Sequence, residues 1–295
     1  MFHYRAFGVT IRSSFDLPTL NCALTPASAA ALTVEACNAS PGFVSRWIHE
    51  WRLGRDLPRV SFGRTHDGYL VRFDALIDFV VSDFGTEIRC PDPASHPTVP
   101  IEHLLLDQVV PLALARQGHL VLHASAVHVP GFGAYAILGR SRRGKSTLAS
   151  ALARHGEIVA DDCLRIDAGP FGFQALPSYP GLRLWPGAGP KRRVNGEDIT
   201  FRSDGSPLRG IFVLGTRTGR GPAAWVRPMP AARAFVELAR HQFQLDVTDR
   251  NGLGRSFQVL SGLAVAVPVF RLRVRDGLDA ISEAADEVVE YLAAS

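Results

Sequence analysis

Lysine is nearly absent from this chain. Of the 32 basic residues among its 295, only Lys145 and Lys191 are lysines. The formal net charge of +4 is mild for this length, and the arginines form no stripe or tail. A dedicated nucleic-acid-binding protein usually concentrates its basic residues in such a feature. We therefore expect no nucleic-acid partner.

Cysteine is scarce as well. The four cysteines are far apart and form no C-x-x-C pair, which argues against a zinc knuckle or a disulfide framework and indicates reduced, structural thiols; they are Cys22, Cys37, Cys90 and Cys163.

Long hydrophobic runs are also missing. No apolar stretch approaches the ~20 residues that a membrane helix needs. The N-terminal segment MFHYRAFGVTIRSSFDLP alternates like a strand and lacks the continuous apolar core of a signal peptide. Hydrophobic residues make up 46% and charged residues 20% of the chain, which is typical of a globular protein. We expect a cytoplasmic protein with no membrane partner.

The chain divides into a β-rich N-terminal region, residues 1–97, and a second domain, residues 98–295. Alternating segments such as YRAFGVTIRSSF predict strands in the first region, and the proline-rich CPDPASHPTVP predicts a linker. IEHLLLDQVVPLALARQG then has helical spacing that Pro111 would kink or divide. Strands follow, and two helices close the chain, AARAFVELARHQFQL and LDAISEAADEVVEYL. One face of the last helix is apolar, with Leu278, Ile281, Ala285, Val288 and Leu292.

A glycine-rich loop, residues 139–147, carries the clearest chemical signal. The pattern G-x-x-x-x-G-K-[ST] is met by Gly139 to Ser146, between an apolar strand and a helix-like segment. In this pattern backbone N–H groups surround phosphate oxygens, the lysine reaches the terminal phosphates and the hydroxyl binds Mg²⁺. The residues predicted to bind the nucleotide are Gly139, Arg140, Ser141, Arg142, Arg143, Gly144, Lys145, Ser146 and Thr147.

Two adjacent acids, Asp161 and Asp162, follow the next predicted strand, EIVAD. Their distance from the loop fits one helix and a return into a neighbouring strand, so both should emerge at the same edge of the sheet as the loop. Beside a magnesium nucleotide, one acid would bind the metal and the other would orient or deprotonate an attacking hydroxyl. The alternative is a solvated acidic turn or a helix N-cap.

His123, in LHASAV, lies on the strand before the loop strand and within reach of the same edge. A histidine on a strand is more often a half-buried structural residue than a catalytic one, so the pattern leaves both roles open.

Taken together, LHASAV, GRSRRGKST and IVADD resemble the HPr kinase family in order and spacing. YRAFGVTIRSSFDLPTL, PSYPGLRLWP, PLRGIFVLG and VPVFRLRVRDGLD resemble the branch encoded with lasso-peptide biosynthesis genes, which phosphorylates a serine of the precursor peptide. The resemblance implies an α/β fold with a P-loop kinase core of the HPr kinase and phosphoenolpyruvate carboxykinase type and a mixed sheet, preceded by the β-rich region. A homo-oligomer is a further expectation, because such kinases often assemble.

The same resemblance implies a kinase that uses ATP and Mg²⁺ and acts on a precursor peptide, with the C-terminal serine of that peptide as the acceptor. Ser146 and Asp161 would bind the metal, Asp162 would act as the base, and Lys145 and His123 would complete the catalytic set. The basic segment Lys191-Arg192-Arg193 would meet a peptide carboxylate or form an ordinary solvated loop.

Two departures from the family keep alternatives open. Arg142 replaces a glycine that the family loop usually has; it would crowd a phosphate or add positive charge. SYPGLRLWP stands where the HPr-binding signature is expected, which argues against HPr as substrate and against the reverse reaction. The rival functions are a kinase of a small metabolite and an ATP-binding sensor that no longer transfers phosphate.

Overall fold

The computed structural model describes residues 1–23, 29–37, 42–52, 59–141, 143–184, 192–194, 199–217 and 219–294. For residues 21–23, 52, 183–184, 192–194 and 278 it describes the backbone alone. The chain forms two compact units: residues 1–121 with 243–257, and residues 122–242 with 258–295. The predicted boundary at residues 97 and 98 does not coincide with this division, since residues 98–121 and 243–257 belong to the first unit.

The first unit is β-rich. Its elements are β1 (Phe2–Ala6), β2 (Val9–Ser13), a 3₁₀ turn (Pro18–Ala23), β3 (Leu32–Ala36), β4 (Arg46–Arg52), β5 (Arg59–Arg64), β6 (Gly68–Phe73), β7 (Ile77–Ser82), β8 (Glu87–Cys90), a 3₁₀ turn (Pro93–Ser95), α1 (Ile101–Leu104), a π turn (Leu105–Val109) and α2 (Val110–Arg116). The eight strands form one sheet in the order β1-β2-β3-β8-β7-β6-β5-β4. β3 is parallel to both its neighbours, and the other pairs are antiparallel.

Pro111 divides the first helical segment, as its sequence predicts. Proline has no N–H to donate, and it lies in the first turn of α2, where none is needed. The preceding π turn accommodates the change, with the Val110 N–H bonded to the Leu105 carbonyl. The helix then packs closely on the turn after β7. A Cβ on Gly85 would lie 2.3 Å from the Ala113 carbonyl oxygen, so only glycine fits there.

The second unit is mixed α/β, as predicted. The chain enters it through β9 (Leu120–Leu122). Its further elements are β10 (Ala124–Val129), β11 (Gly133–Leu138), α3 (Lys145–Leu152), a 3₁₀ turn (Ala153–His155), β12 (Glu157–Ala160), β13 (Leu164–Gly169), β14 (Gly172–Leu176), β15 (Leu182–Leu184), β16 (Arg192–Val194), β17 (Ser206–Leu214), β18 (Ala224–Pro228), α4 (Ala231–His241), α5 (Arg250–Ala266, which begins in the first unit), β19 (Val269–Val274) and α6 (Leu278–Ala294).

The main sheet of this unit contains strands of both directions. Its order is β12-β10-β11-β17-β14-β13, with β19 also beside β17 and β18 beside β19. β11, β17 and β19 are parallel, and β10 is antiparallel to both β11 and β12. β12 therefore has the same direction as β11. This arrangement decides which loops meet at one edge.

Helices α3 and α6 cover one face of this sheet. Leu148 and Leu152 of α3 share a buried cluster with Ile281 and Val288 of α6 and with Phe212 of β17. The apolar face predicted for the last helix is confirmed where its side chains are described, because Ile281, Ala285, Val288 and Leu292 are buried; their burial removes a continuous apolar stripe from water.

Helix α5 was not predicted from the sequence. Its segment RNGLGRSFQVLSGLAVA contains Gly252, Gly254 and Gly262, each of which costs ~1 kcal/mol in a helix interior relative to alanine. Only Leu260, Leu263 and Ala264 of this helix are buried. Because of these glycines, helix propensity does not predict this helix.

Two further expectations can be compared with the described residues. Within them, no helix is long and apolar enough to cross a membrane. No disulfide joins Cys37, Cys90 and Cys163, the cysteines whose side chains are described. Burial raises the pKa of the Cys90 thiol to about 12, which suits a structural and unreactive group.

Candidate active site

One edge of the second unit's sheet collects most of the residues singled out from the sequence. The glycine-rich loop follows β11, and Asp161 and Asp162 follow β12, which has the same direction. β10 begins at this edge, because Ala124 pairs with Leu138, the last residue of β11. His123 immediately precedes it. The prediction that the acids and the loop share an edge is therefore confirmed.

The glycine-rich loop turns into α3 through a left-handed residue. Gly144 has φ +94° and is the N-cap of α3, whose first described bond joins the Leu148 N–H to the Gly144 carbonyl at 2.9 Å. Within the loop the Arg143 N–H donates to the Arg140 carbonyl at 3.2 Å. The positive φ explains the need for glycine at residue 144, and the N-terminus of α3 points its N–H groups toward the loop.

The other loop residues differ in exposure. Gly139 is buried, Arg140 and Ser141 are exposed, and Arg143 and Thr147 are half-buried. Ser146, predicted to bind Mg²⁺, is buried at the start of α3. Arg142 lies outside the described residues, so both interpretations of its side chain stay open.

Lys145 is buried in spite of its charge, with 5% of its surface exposed. Its ammonium donates to the Gly139 carbonyl at 3.0 Å and lies 3.0 Å from His123 Nε2. A buried ammonium is costly unless it has such partners. The position of the Lys145 ammonium is thus fixed by the carbonyl of Gly139, at the start of the loop, and by the imidazole of His123.

The two contacts of His123 fix its tautomer. Nδ1 lies 2.8 Å from the Asp162 carbonyl oxygen, which can only accept, so Nδ1 carries the proton. Nε2 faces the ammonium of Lys145, which can only donate, so Nε2 is unprotonated. His123 is therefore neutral here and links the loop lysine to the backbone of the paired acids. Its own N–H donates to the His241 carbonyl at 2.7 Å, which anchors the segment to the end of α4.

Asp161 is buried, with 4% of its surface exposed, and its orientation is fixed by a serine. The hydroxyl of Ser125, itself fully buried on β10, donates to Asp161 Oδ1 at 2.6 Å. A hydrogen bond of this length to a carboxylate is strong and orients the acid. The solvated acidic turn, the alternative kept open for this residue, is wrong for Asp161.

Asp162 occupies a strained turn. Its φ is +60°, and the Cys163 N–H donates to the Asp161 carbonyl at 2.8 Å, across the single residue Asp162. A bond between residues i and i+2 with a positive φ between them is the geometry of a γ-turn of the rare, strained kind. The Asp162 side chain is half-buried, and strain of this sort clusters at functional sites.

Sequence reasoning missed two residues at this edge. Ser125 is in the LHASAV motif, but a serine on a strand gives no signal until its acidic partner is placed beside it. Arg217 follows β17, and its Nη2 lies 2.9 Å from the position that a Cβ on Gly144 would take. The signal available was GTRTG after the strand PLRGIFVLG, since β17 is parallel to β11 and ends at the same edge.

The residues at this edge fit a magnesium ion only together with a nucleotide. Ser146 and Asp161 offer oxygen atoms, which Mg²⁺ prefers. Among the described side chains, no group of three or more His, Cys, Asp or Glu could form a site by itself. Mg²⁺ usually keeps several waters and binds through one or two protein oxygens plus substrate phosphates, so a sparse donor set is the expected one.

The basic segment predicted to meet a peptide carboxylate contributes nothing to this geometry. Lys191 lies outside the described residues, and Arg192 and Arg193 are described by backbone alone, in β16, paired with β15. Its role stays a prediction.

Comparison with protein-family models and with curated proteins finds no match. Among solved structures, the HPr(Ser) kinase/phosphatase from Coxiella burnetii is similar over 58% of this chain and 97% of that chain, with 13% sequence identity and a TM-score of 0.34. Its description names the family that the sequence motifs resemble. Likeness at this level does not establish a common fold, so the function has to be inferred from the residues at the sheet edge.

Proposed function

We propose that this protein is an ATP- and Mg²⁺-dependent kinase that transfers the γ-phosphate to a hydroxyl group, with a serine of a small peptide as acceptor. One observation supports it above all: the sheet edge brings a glycine-rich loop and its buried Lys145 together with the oriented Asp161 and the strained Asp162. Phosphoryl transfer uses a phosphate cradle, positive charge and a carboxylate for the nucleophile, and in this proposal the loop, Lys145 and the two aspartates supply them.

Each residue has a defined task in this proposal. The loop N–H groups and Lys145 bind and neutralise the phosphates, and Ser146 and Asp161 would hold Mg²⁺, which neutralises further charge when bound. The acceptor oxygen bonds to the γ-phosphorus as the bond to the leaving ADP oxygen breaks. The hydroxyl proton passes to a carboxylate oxygen of Asp162.

His123 acts as a positioning residue in this proposal. Its neutral ring contacts both Lys145 and the Asp162 carbonyl, so one imidazole fixes the position of the lysine relative to the turn that carries the proposed base. Phosphates entering the loop would compete with Nε2 for the ammonium of Lys145. The ring would still hold the Asp162 backbone through Nδ1.

The choice of a peptide serine rests on the sequence motifs that resemble the lasso-peptide kinases. The peptide partner, the cytoplasmic location and the homo-oligomer all stay predictions. A metabolite acceptor and a sensor without transfer are the two rival outcomes of the experiment below.

The test is a transfer assay read by mass spectrometry. Purified protein is incubated with Mg-ATP and a precursor-peptide C-terminus that ends in serine, beside the same peptide ending in alanine. A gain of one phosphate on the serine peptide alone is expected. Lys145→Met, which keeps the length of the side chain and removes its charge, should slow transfer by at least about 10²-fold.

The outcomes separate the alternatives. ATP binding with no peptide product, followed by turnover of a small hydroxyl compound in a metabolite screen, would replace the peptide by a metabolite. ATP binding with no transfer to any acceptor would favour the sensor. Full transfer by a correctly folded Lys145→Met variant would overturn the assignment of the site.

A further inference from the structure

The strand pair β18 and β19 of the second unit carries a basic surface. On β19, Leu272 and Val274 pack into the buried cluster that includes α6. Successive side chains of a strand point to opposite faces, so Arg271 and Arg273 point away from α6. Arg273 is exposed and Arg271 is half-buried. This side of β19 therefore presents two cations where the other side presents core residues.

Two residues of β18 complete this surface. Trp225 lies directly opposite Arg273, and Arg227 lies directly opposite Arg271. We call these four residues the arginine face. The guanidinium carbon of Arg227 is 4.7 Å from the centroid of the Trp225 ring, and that of Arg273 is 5.2 Å from it. A guanidinium group that stacks on an aromatic ring uses its flat side, so its N–H groups stay available to an anion.

The positive charge of the arginine face is not balanced. Arg271 is 3.5 Å from the carboxylate of Glu237 on α4. Among the residues that the structure describes, Arg227 and Arg273 have neither an acidic partner nor a hydrogen bond. Like charges that lie directly opposite each other on neighbouring strands repel, and Arg227 and Arg271 are such a pair. The arrangement therefore carries a cost for folding.

Elsewhere the chain avoids this cost. Arg72 of β6 lies opposite Asp78 of β7 and donates to it through two bonds of 2.9 and 2.8 Å. Arg275, which follows β19, forms an ion pair with Glu283 of α6. A surface that served the fold alone would favour the same pairing on the arginine face. Its uncompensated charge suits an anionic group that comes from outside the chain.

We infer that the arginine face binds an extended acidic segment of a protein partner. Arg271 and Arg273 are two residues apart on one strand, which corresponds to roughly 7 Å. Alternate side chains of an extended peptide have the same spacing, so glutamates or aspartates at every second position can each meet a guanidinium group. The inference does not depend on the proposed function, because no residue of the arginine face belongs to the proposed active site.

A nucleic acid fits this surface less well. Proteins that bind single strands stack bases on aromatic side chains. The ring of Trp225 already contacts two guanidinium groups and is half-buried, so it is a poor platform for a base. An acidic peptide needs only the N–H groups that the two arginines leave available. The arginine face therefore favours carboxylates as ligands.

The position of the surface gives the binding a place in the fold. A Cβ on Gly215, the residue after β17, would lie 3.2 Å from Arg273 Cγ. The strand β17 is parallel to β11 and ends at the same edge as the glycine-rich loop. A partner bound to the arginine face is thus held beside this edge of the sheet.

The experiment measures the binding of two labelled synthetic peptides by fluorescence anisotropy, without nucleotide. One peptide has glutamate at every second position with threonine between, and the other has glutamine in place of each glutamate. At about 50 mM salt the acidic peptide should bind at least about tenfold more tightly. Salt at about 0.5 M should remove most of this difference, because exposed charges are then screened.

Variants of the exposed arginines locate the binding. Arg273→Gln should weaken the acidic peptide about fivefold, and Arg227→Gln combined with it should weaken that peptide at least about tenfold. The matched control is Arg209→Gln, which removes an exposed arginine beside Gly133, where β11 begins at the opposite edge of the sheet. This control should stay within about twofold of the unmodified protein. The Tm of the double variant should not fall, since a repulsive pair is relieved.

Two results would overturn the inference. The first is equal affinity of the unmodified protein for the two peptides, or an unchanged affinity of the double variant for the acidic one. The second is tighter binding of a single-stranded DNA oligonucleotide than of the acidic peptide, with loss of that binding in the double variant. Both results leave the kinase proposal standing, because its transfer assay tests other residues.

Discussion

The two units of this protein use buried carboxylates in opposite ways. In the first unit Asp246 is 8% exposed and accepts bonds from the Thr248 N–H at 2.8 Å, the Thr248 hydroxyl at 2.6 Å and the Tyr69 hydroxyl at 3.1 Å. Burial by itself would raise the pKa of Asp246, but these bonds and the charge of Arg116 outweigh it and lower the pKa. Asp246 is a satisfied structural acid.

In the second unit the acids are arranged differently. Asp161 is oriented by Ser125, and its neighbour Asp162 sits at a positive φ in a strained γ-turn whose carbonyl accepts from His123. Asp162 has a positive φ, whereas Asp246 is not among the non-glycine residues with positive φ. Burial alone therefore does not distinguish the two units. The proposed catalytic role rests on the combination of a buried acid, a strained neighbour and a nearby buried lysine in the second unit.

The largest expected effect comes from the strained acid. Asp162→Asn keeps the shape and tolerates the left-handed backbone, but it cannot take a proton. We expect kcat to fall by about 10²–10⁴-fold while the Kd for ADP changes little. Steady-state kinetics and calorimetry on the same variant measure both quantities.

Asp162→Gly extends this test to stability. Glycine adopts positive φ without strain, so the free energy of unfolding should not be lower than that of the unmodified protein, even though activity is lost. An Asp162→Gly variant that is clearly less stable would mean that the side chain serves the fold and that the comparison between the two acids is wrong.

The structural acid should behave in the opposite way. Asp246→Asn should lower the free energy of unfolding by about 1–3 kcal/mol, because charge-assisted bonds in a buried place are weakened, and leave kcat unchanged. The pKa of the folded Asp246 is lowered, so its contribution is present above the ordinary pKa of an aspartate, about 4, and is lost as pH falls below it.

Denaturant unfolding at a series of pH values from 7 to 3 measures this difference. The unmodified protein should lose more stability on acidification than Asp246→Asn, since the variant has already lost the carboxylate that protonates. Parallel pH curves for the two proteins would contradict the structural role assigned to Asp246.

The smallest effect, and the sharpest comparison, involves two serines of the second unit. Ser125 donates to Asp161, and Ser206, also fully buried, lies 2.8 Å from His128 Nδ1 at the beginning of β17. Replacing either with alanine should cost about 1 kcal/mol of stability. Only Ser125→Ala should also lower kcat, by about tenfold, because Asp161 loses its orientation. Equal kcat values for both variants would show that Ser125 has a structural role alone.

Part of this picture could be predicted from the sequence for identifiable reasons. The motif around Lys145 and the pair Asp161-Asp162 are each contiguous in the sequence, so a local pattern was enough to single them out. The alternation in residues 1–97 predicted strands, and the face of the last helix predicted its packing. The interruption of the first helical segment at Pro111 could also be predicted, because the effect of proline on a helix is local.

The remainder depends on contacts that no local pattern contains. Arg217 reaches Gly144 only because β17 lies parallel to β11. The hydroxyl of Ser125, on β10, reaches Asp161 only because Asp161 follows the neighbouring strand β12. The γ-turn at Asp162 needs a tertiary partner to sustain its strain. Helix α5 is rich in glycine, and tertiary packing overrides its poor propensity. Residues 243–257 join the first unit although they lie far from it along the chain.

The common edge of the second unit's sheet also has a consequence for how such a protein can change over generations. Its glycine-rich loop, its paired acids and Arg217 follow different strands, which are anchored separately in the sheet. Insertions and substitutions are tolerated best in such connecting segments. A descendant could therefore alter the loop after β17 while inheriting the acids after β12 intact.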